Sequence, residues 1–146
     1  EQFLRYNVIQ QVLIGMIYTG VFDRFPNLQV ASVENDAGWA GNIIERMDYY
    51  HAEAPVKGLL GTDRVNKNNP SEYWRSNVSY TFMRDLAAIQ TRSIIGVDRL
   101  MWASDFPHSD STWPDSRQVI DRHMVGVPEH EASLIRGGNA ARLYGF

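Results

Sequence analysis

Apolar residues along the chain alternate between helical and strand spacing. In residues 3–20 most apolar side chains are three or four positions apart, which predicts an amphipathic helix. Strand-like apolar runs and helical patterns then alternate three times, with strands over 30–33, 77–83 and 99–103 and helices over 37–51, 86–95 and 115–124. A last helix is predicted over 128–143, where Gly145 follows as a stop. Asp36 and Asp85 are predicted to cap the helices over 37–51 and 86–95. Residues 53–76 are loosely patterned, with a single turn predicted over 71–74.

This order predicts an α/β fold with parallel strands, because a helix between two strands returns the chain to the same end of the sheet. Three strands are too few for a closed parallel barrel, which needs eight strands and roughly 250 residues. The chain begins at Glu1 without Met and enters directly into a helical pattern. We therefore expect residues 1–146 to form a single partial domain, the C-terminal part of a larger α/β fold whose N-terminal strands are absent.

Composition excludes several classes of protein. The chain is 44% hydrophobic and 21% charged with a net charge of −3, a globular composition that gives no electrostatic preference for nucleic acid or an anionic membrane. No apolar stretch reaches the length of a membrane span. The absence of cysteine removes disulfides and thiolate metal sites. We expect a cytoplasmic protein whose partner is a small molecule.

Asp105 is the strongest candidate for chemistry. It follows the apolar run 100–103, and Pro107 two residues later stops the strand and disfavours helix at Phe106. A carboxylate at the end of a buried strand is usually paired, protonated or bound to a metal. Asp105 is thus a candidate metal ligand and proton acceptor, and the alternative is a turn or helix-cap residue.

Four other residues lie near predicted strand ends. Glu34 ends the first strand and is either a catalytic acid/base or substrate contact, or an acid that interacts with the next helix. His108, in the loop after Asp105, could orient substrate, and Trp113 could form a pocket wall, although both could be ordinary loop residues. Arg84 follows the middle strand and could bind a substrate carboxylate, unless it only flanks a helix.

Several stretches together resemble the amidohydrolase-related family, in the branch that includes aminocarboxymuconate-semialdehyde decarboxylase and resorcylate-type decarboxylases. The stretches cover nearly the whole chain in order: Gly20–Leu28, Trp39 with Ile44–Asp48, Pro70–Tyr73, Arg99–Pro107 and Gly138–Gly145. The resemblance implies the C-terminal part of a (β/α)8 TIM barrel of about three β-α units. It also implies a divalent metal, zinc or sometimes manganese. We expect the full-length protein to be a dimer.

Two departures from the family pattern affect what can be carried over. In the family, a His-x-His pair and a further histidine bind the metal, and the aspartate after the eighth strand, matched by Asp105, completes or approaches the site. This chain contains neither histidine element, so the other ligands are expected from the missing N-terminal part, and the segment alone is expected to be inactive. Decarboxylase members also have histidine where this chain has Glu34.

The sequence therefore favours a metal-dependent hydrolase that acts on a small carboxylated substrate, with Asp105 accepting a proton from water activated by the metal. A non-oxidative decarboxylase (carboxy-lyase) of the same family is the first alternative. A second alternative is a non-catalytic structural or binding fragment in which Asp105 caps a loop. A third is an open-sheet enzyme with Asp105 as nucleophile, but the nearest lysines, Lys57 and Lys67, lie in a loosely patterned segment.

Overall fold

The computed structural model describes residues 2–57 and 66–146, with side chains for 6–53 and 66–146. The helices are α1 (Gln2–Tyr18), α2 (Val21–Arg24), α3 (Ala40–Lys57), α4 (Pro70–Asn77), α5 (Leu86–Gln90), α6 (Arg92–Ile95), α7 (Ser116–His123), α8 (Glu129–Ser133) and α9 (Asn139–Tyr144). The strands are β1 (Val30–Ser32), β2 (Val78–Phe82) and β3 (Leu100–Trp102). None of these helices is both long enough and apolar enough to cross a membrane.

The strands form a parallel sheet in the order β1-β2-β3. Val30 is paired with Val78, and Tyr80 with Leu100, so the three strands run side by side in register. Parallel pairing brings all three carboxyl ends to one edge of the sheet. The loops that follow the strands therefore meet at this edge.

Aromatic side chains between the sheet and the helices form the centre of the core. The fully buried Tyr80 of β2 stacks on Trp74 of α4, with ring centroids 6.2 Å apart. Trp39 meets the Tyr80 ring edge-on at 5.8 Å. Such pairs stabilise by about 0.5–1.5 kcal/mol beyond the burial of their area. They hold α4, and the chain just before α3, against the strand in the middle of the sheet.

The three strands confirm the predicted α/β alternation, and the helices differ from prediction at their ends. α3 begins at Ala40 rather than at 37, and the single turn expected near Ser71 is the eight-residue helix α4. Its start is stabilised by the Glu72 carboxylate, which accepts the Asn69 N–H at 3.2 Å. The helix predicted over 86–95 is divided at Thr91 into α5 and α6. Part of the segment that we expected to be loosely structured, 58–65, lies outside the described residues.

The apolar stripe predicted for α1 is only partly buried. Leu13 and Ile17 are almost fully buried in the core, whereas Val8 is 63% exposed and Val12 is 50% exposed. Helical spacing identified the helix correctly, but it could not show which apolar positions contact the sheet.

The last predicted helix is continuous but contains a π-helical turn at Leu134–Gly138 between α8 and α9. Immediately after this turn, the buried Asn139 donates through Nδ2 to the carbonyl oxygens of Val97 and Leu100, each at 2.8 Å. These bonds attach the C-terminal helix to the first residue of β3. They hold the amino end of the strand whose carboxyl end leads to Asp105.

Candidate active site

A cleft of about 290 Å³ lies at the carboxyl ends of the strands. Glu34 reaches it from the loop after β1, Met83 from the end of β2 and Asp105 from the loop after β3. Tyr6 of α1 also lines it. In (β/α)8 enzymes the active site lies at this end of the strands.

Three side chains converge in this cleft. Glu34, Asp105 and His108 each offer one ligand atom, and these atoms all lie within 4.8 Å of one another. His108 Nδ1 lies 3.1 Å from Asp105 Oδ2. The Asp105 side chain is only 17% exposed and that of His108 is 67% exposed, so the carboxylate lies below the imidazole. The structure thus brings together three residues that the sequence identified separately.

The chemistry of this set suits a divalent cation. Two carboxylates and an imidazole are hard and borderline donors, and three protein ligands are typical of catalytic metal centres. Ligand atoms at about 2.0–2.2 Å from one ion can be at most about 4.4 Å apart. The three ligand atoms, which lie within 4.8 Å of one another, would therefore have to move closer together around an ion.

The backbone at the cleft is held in an unfavourable conformation. Among the described residues, the non-glycine residues with positive φ are Glu34 (61°), Asp36 (50°) and Asp105 (59°), and all three line the cleft. Left-handed backbone costs about 1–2 kcal/mol per residue and persists only where surrounding contacts hold it. Thr81 supplies one such contact, because its Oγ1 accepts the Glu34 N–H at 3.1 Å.

The sequence predicted that Asp36 caps the helix after β1. In the structure Asp36 does not cap α3 but faces the cleft. Its Oδ2 accepts the Tyr6 hydroxyl at 3.0 Å, and its Oδ1 accepts a weak bond from the Met83 N–H at 3.5 Å. Burial raises the pKa of the Asp36 carboxyl, and the negative charges of Asp85 and Asp110 raise that pKa further, against the lowering effect of the Tyr6 hydrogen bond. Burial and the nearby Asp36 also raise the pKa of Tyr6.

Asp85 provides the contact expected of Asp36. Its Oδ2 accepts the N–H groups of Ala37 and Gly38 at 2.8 and 2.6 Å. Its Oδ1 accepts the Ala88 N–H at 3.0 Å, which confirms its predicted role as the cap of α5. One carboxylate thus joins the loop after β1 to the loop after β2.

The cleft carries a strongly negative set of side chains. The acidic residues that line it are Glu34, Asp36, Asp105 and Asp110. None of the described residues that line it is Lys or Arg. Clustered carboxylates favour a bound cation, because a divalent ion offsets their mutual repulsion.

Two predicted substrate-binding residues lie beside the cleft and not among the described residues that line it. Arg84 donates to the Ser111 carbonyl at 3.1 Å and lies 3.9 Å from the Asp110 carboxylate, so it contacts the loop after β3. Trp113 is 64% exposed and packs edge-on against Phe106, with ring centroids 5.5 Å apart. Substrate contact by either side chain stays a prediction.

Sequence patterns missed Tyr6 and the linking role of Asp85. Tyr6 is separated from Asp36 by 30 residues, and Asp85 from Ala37 by 48. The only local signal at Asp85 is its position as a helix cap after a strand. This signal gives no information about its contact with the loop after β1. For Tyr6 there is no local signal, because a helical tyrosine is also an ordinary packing residue.

Comparison with solved structures shows the same fold in larger proteins. The 5-carboxyvanillate decarboxylase LigW from Sphingomonas paucimobilis is 30% identical with a TM-score of 0.70, and the match covers 90% of this chain and 38% of that protein. The amidohydrolase map2389c from Mycobacterium avium subsp. paratuberculosis K-10 is 25% identical with a TM-score of 0.77, over 94% of this chain and 33% of that protein. The chain thus spans less than two fifths of each of these relatives.

A third solved structure shows the fold alone. It is 20% identical with a TM-score of 0.70, and the match covers 91% of this chain and 38% of that protein. It is a dihydroxybenzoic acid decarboxylase from Polaromonas sp. JS666 with bound manganese and the inhibitor 2-nitroresorcinol. A comparison with curated proteins finds no significant match.

The family assignment rests on a match to a sequence model. The model described as amidohydrolase matches residues 70–146, which include β2, β3 and Asp105. The solved relatives are TIM-barrel proteins, which confirms the predicted fold class of three parallel strands from such a barrel. The chain belongs to the amidohydrolase family.

Proposed function

We propose that this chain forms part of the active site of a divalent-metal-dependent enzyme that removes the carboxylate of a small aromatic or unsaturated acid as CO2. The convergence of Glu34, Asp105 and His108 at the strand ends carries the proposal. The 30% identity to a 5-carboxyvanillate decarboxylase supports decarboxylation as the reaction. The remaining barrel strands, and further metal ligands, are expected from the rest of the natural protein.

Asp105 and Glu34 would hold the ion from this side of the cleft, and His108 would stay unligated so that its imidazole can carry a proton. When bound, a divalent ion acts as a Lewis acid that stabilises negative charge on the substrate and lowers the pKa of bound water. Manganese is a suitable ion because carboxylate oxygens bind it well, and zinc stays a prediction.

Decarboxylation requires a proton at the carbon that loses CO2. The carbon–carbon bond breaks, its electron pair stays on the substrate carbon, and that carbon takes a proton. His108 is suited to supply it, because the Asp105 carboxylate 3.1 Å away orients the imidazole. Glu34 stands where it can return a proton to the imidazole from solvent, since it is exposed and belongs to the same cluster.

Hydrolysis, which the sequence favoured, is the second candidate. The shielded position of Asp105, 17% exposed, suits a carboxylate that accepts a proton from an attacking water. The structural similarity to the amidohydrolase map2389c also favours this candidate. In this version Glu34 contacts the substrate or returns the proton to the leaving group.

The two candidates differ in their products. We would incubate the manganese-loaded natural protein with 5-carboxyvanillate, 2,6-dihydroxybenzoate and related acids, and separately with lactones and amides that carry a carboxylate. Equal amounts of CO2 and decarboxylated product support the proposal. Addition of water with the carboxylate retained supports hydrolysis and contradicts decarboxylation.

Variants test the assignment of the site. Asp105→Asn should lower turnover by at least about 100-fold with folding intact, because it removes the charge that orients His108 and binds the cation. Asp121→Asn is the matched control, because Asp121 pairs with Arg136 at an exposed position on α7. Near-native turnover in Asp105→Asn would overturn the assignment.

The predictions of a dimer and of a cytoplasmic location stay untested. Light scattering on the natural protein would measure its mass in solution. A monodisperse monomer would contradict the predicted dimer.

A further inference from the structure

Asp85 stands outside the lining of the cleft, yet its carboxylate bonds the loop that carries Glu34. The two hydrogen bonds from Ala37 and Gly38 to Oδ2 are short, at 2.8 and 2.6 Å, and a carboxylate acceptor makes such bonds stronger than neutral ones. The bond from Ala88 to Oδ1 fixes the same carboxylate to the first turn of α5. The Asp85 side chain therefore cannot follow the β1 loop if that loop moves.

Reciprocal bonds join the two loops. Asp36, in the β1 loop, accepts the backbone N–H of Met83 at the end of β2, while Asp85, in the β2 loop, accepts backbone N–H groups of the β1 loop. Thr81 of β2 adds a third connection through its hydroxyl, which accepts the Glu34 N–H. Asp85 contributes the two shortest of these bonds.

Close packing leaves the Asp85 carboxylate little freedom. A Cβ added at Gly38 would lie 2.6 Å from Asp85 Oδ1 and 2.7 Å from the Ala87 Cβ. Only glycine at position 38 allows the loop backbone to approach the carboxylate this closely. The two loops are therefore in direct contact at this point.

Glu34 needs restraint beyond the hydrogen bond from its own N–H to Thr81, because its backbone conformation is unfavourable. Its φ of 61° is unfavourable for a residue with a side chain, and its side chain is exposed. A restraint on the backbone three and four residues later limits the conformations that the loop can adopt. We propose that Asp85 is a positioning residue that holds Glu34 at the cleft, an inference that rests on the proposed function for its effect on turnover.

Hydrogen exchange tests the structural half without any substrate. In the natural protein, Asp85→Asn should increase exchange in a peptide covering 33–39 by about tenfold, because an amide offers one acceptor where the carboxylate offered two. The matched control is Asp48→Asn, since Asp48 accepts the Ser71 N–H at 2.8 Å and joins α3 to α4 in a similar way. Unchanged exchange over 33–39 in Asp85→Asn would overturn the proposal, whatever the enzyme does.

A double-mutant cycle tests the functional half. Asp85→Asn should lower turnover by about tenfold or more, as displaced catalytic groups commonly do. In a Glu34→Gln background the same change should have little further effect, because the group that it positions is already lost. A merely structural role predicts independent losses that multiply, and that result would contradict the inference.

The two parts of the test separate this inference from the proposed function. If the parent protein turns over neither acids nor hydrolysable substrates, the proposed function fails, and exchange over 33–39 alone decides the role of Asp85. If the parent is active and Asp85→Asn matches it in turnover, Asp85 does not position Glu34 and the inference fails while the proposed function stands.

Discussion

Gly38→Ala is the most direct test of the contact between the two active-site loops. The new methyl carbon would lie 2.6 Å from the Asp85 carboxylate oxygen, 2.7 Å from the Ala87 Cβ and 3.0 Å from the Ala88 nitrogen. Ordinary contacts of this kind are about 3.5–4.0 Å, so the loops must separate by close to 1 Å. One of the three neighbouring atoms is backbone, and rotation of a side chain therefore cannot relieve all of these contacts.

The expected loss follows from overpacking and from weakened hydrogen bonds. Overpacking costs about 1–3 kcal/mol, and loss of one hydrogen bond to a charged group costs about 1.5–3 kcal/mol, reduced here because Asp85 is only partly buried. We expect Gly38→Ala to lower the free energy of unfolding by about 2–4 kcal/mol. Turnover should fall as in Asp85→Asn.

Urea denaturation of the natural protein, followed by far-UV circular dichroism, measures this loss. Gly15→Ala is the matched control, because nothing lies within 4 Å of a Cβ at Gly15 inside α1. Alanine there should stabilise by about 0.5–1 kcal/mol through helix propensity. A Gly38→Ala protein within about 0.5 kcal/mol of the parent, at equal denaturant slope, would refute the tight contact between the loops.

Three further predictions concern the core and the metal. Asn139→Ala should lower the free energy of unfolding by about 2–5 kcal/mol, because it leaves the Val97 and Leu100 carbonyls without their donor. Asn42→Ala, on the exposed side of α3, is the control and should be nearly neutral. Equal losses of stability in the two variants would contradict this prediction. Burial raises the pKa of Tyr80 well above its usual value, so the stability that it contributes is complete below about pH 10 and falls above it, by up to about 1.4 kcal/mol per pH unit. Tyr80→Phe should reduce this loss of stability at alkaline pH, as measured by urea titrations. At pH 7 the same change should be neutral or stabilising, because the Tyr80 hydroxyl has no hydrogen-bond partner among the described residues. If stability falls with rising pH as steeply in Tyr80→Phe as in the parent, Tyr80 is not the group responsible. Removal of metal by a chelator should abolish turnover and lower the unfolding temperature. Manganese at 100 times its dissociation constant should then restore about 2.7 kcal/mol of the free energy of unfolding. Full turnover after chelation would exclude a required metal.

The extent to which the sequence predicted the site differs from residue to residue. Asp105 and Glu34 were identifiable because each follows a short apolar run, and parallel strands bring their carboxyl ends to one edge. His108 was identifiable because it lies three residues beyond Asp105 in the same loop. The sequence assigned Asp36 to the wrong contact. A residue before a helix has the same local sequence pattern whether its own side chain or that of a distant residue accepts the N–H groups that follow it.

The sequence by itself determined the alternation of strands and helices, because spacing, turn residues and caps act over a few neighbouring positions. It also determined which acids end the strands. The tertiary structure alone decided that Asp85 bonds Ala37 and Gly38, that Tyr6 reaches Asp36, and that Val8 stays exposed. These contacts join residues 30 to 48 positions apart, or depend on which side of a helix meets the sheet, and packing of the whole fold determines both.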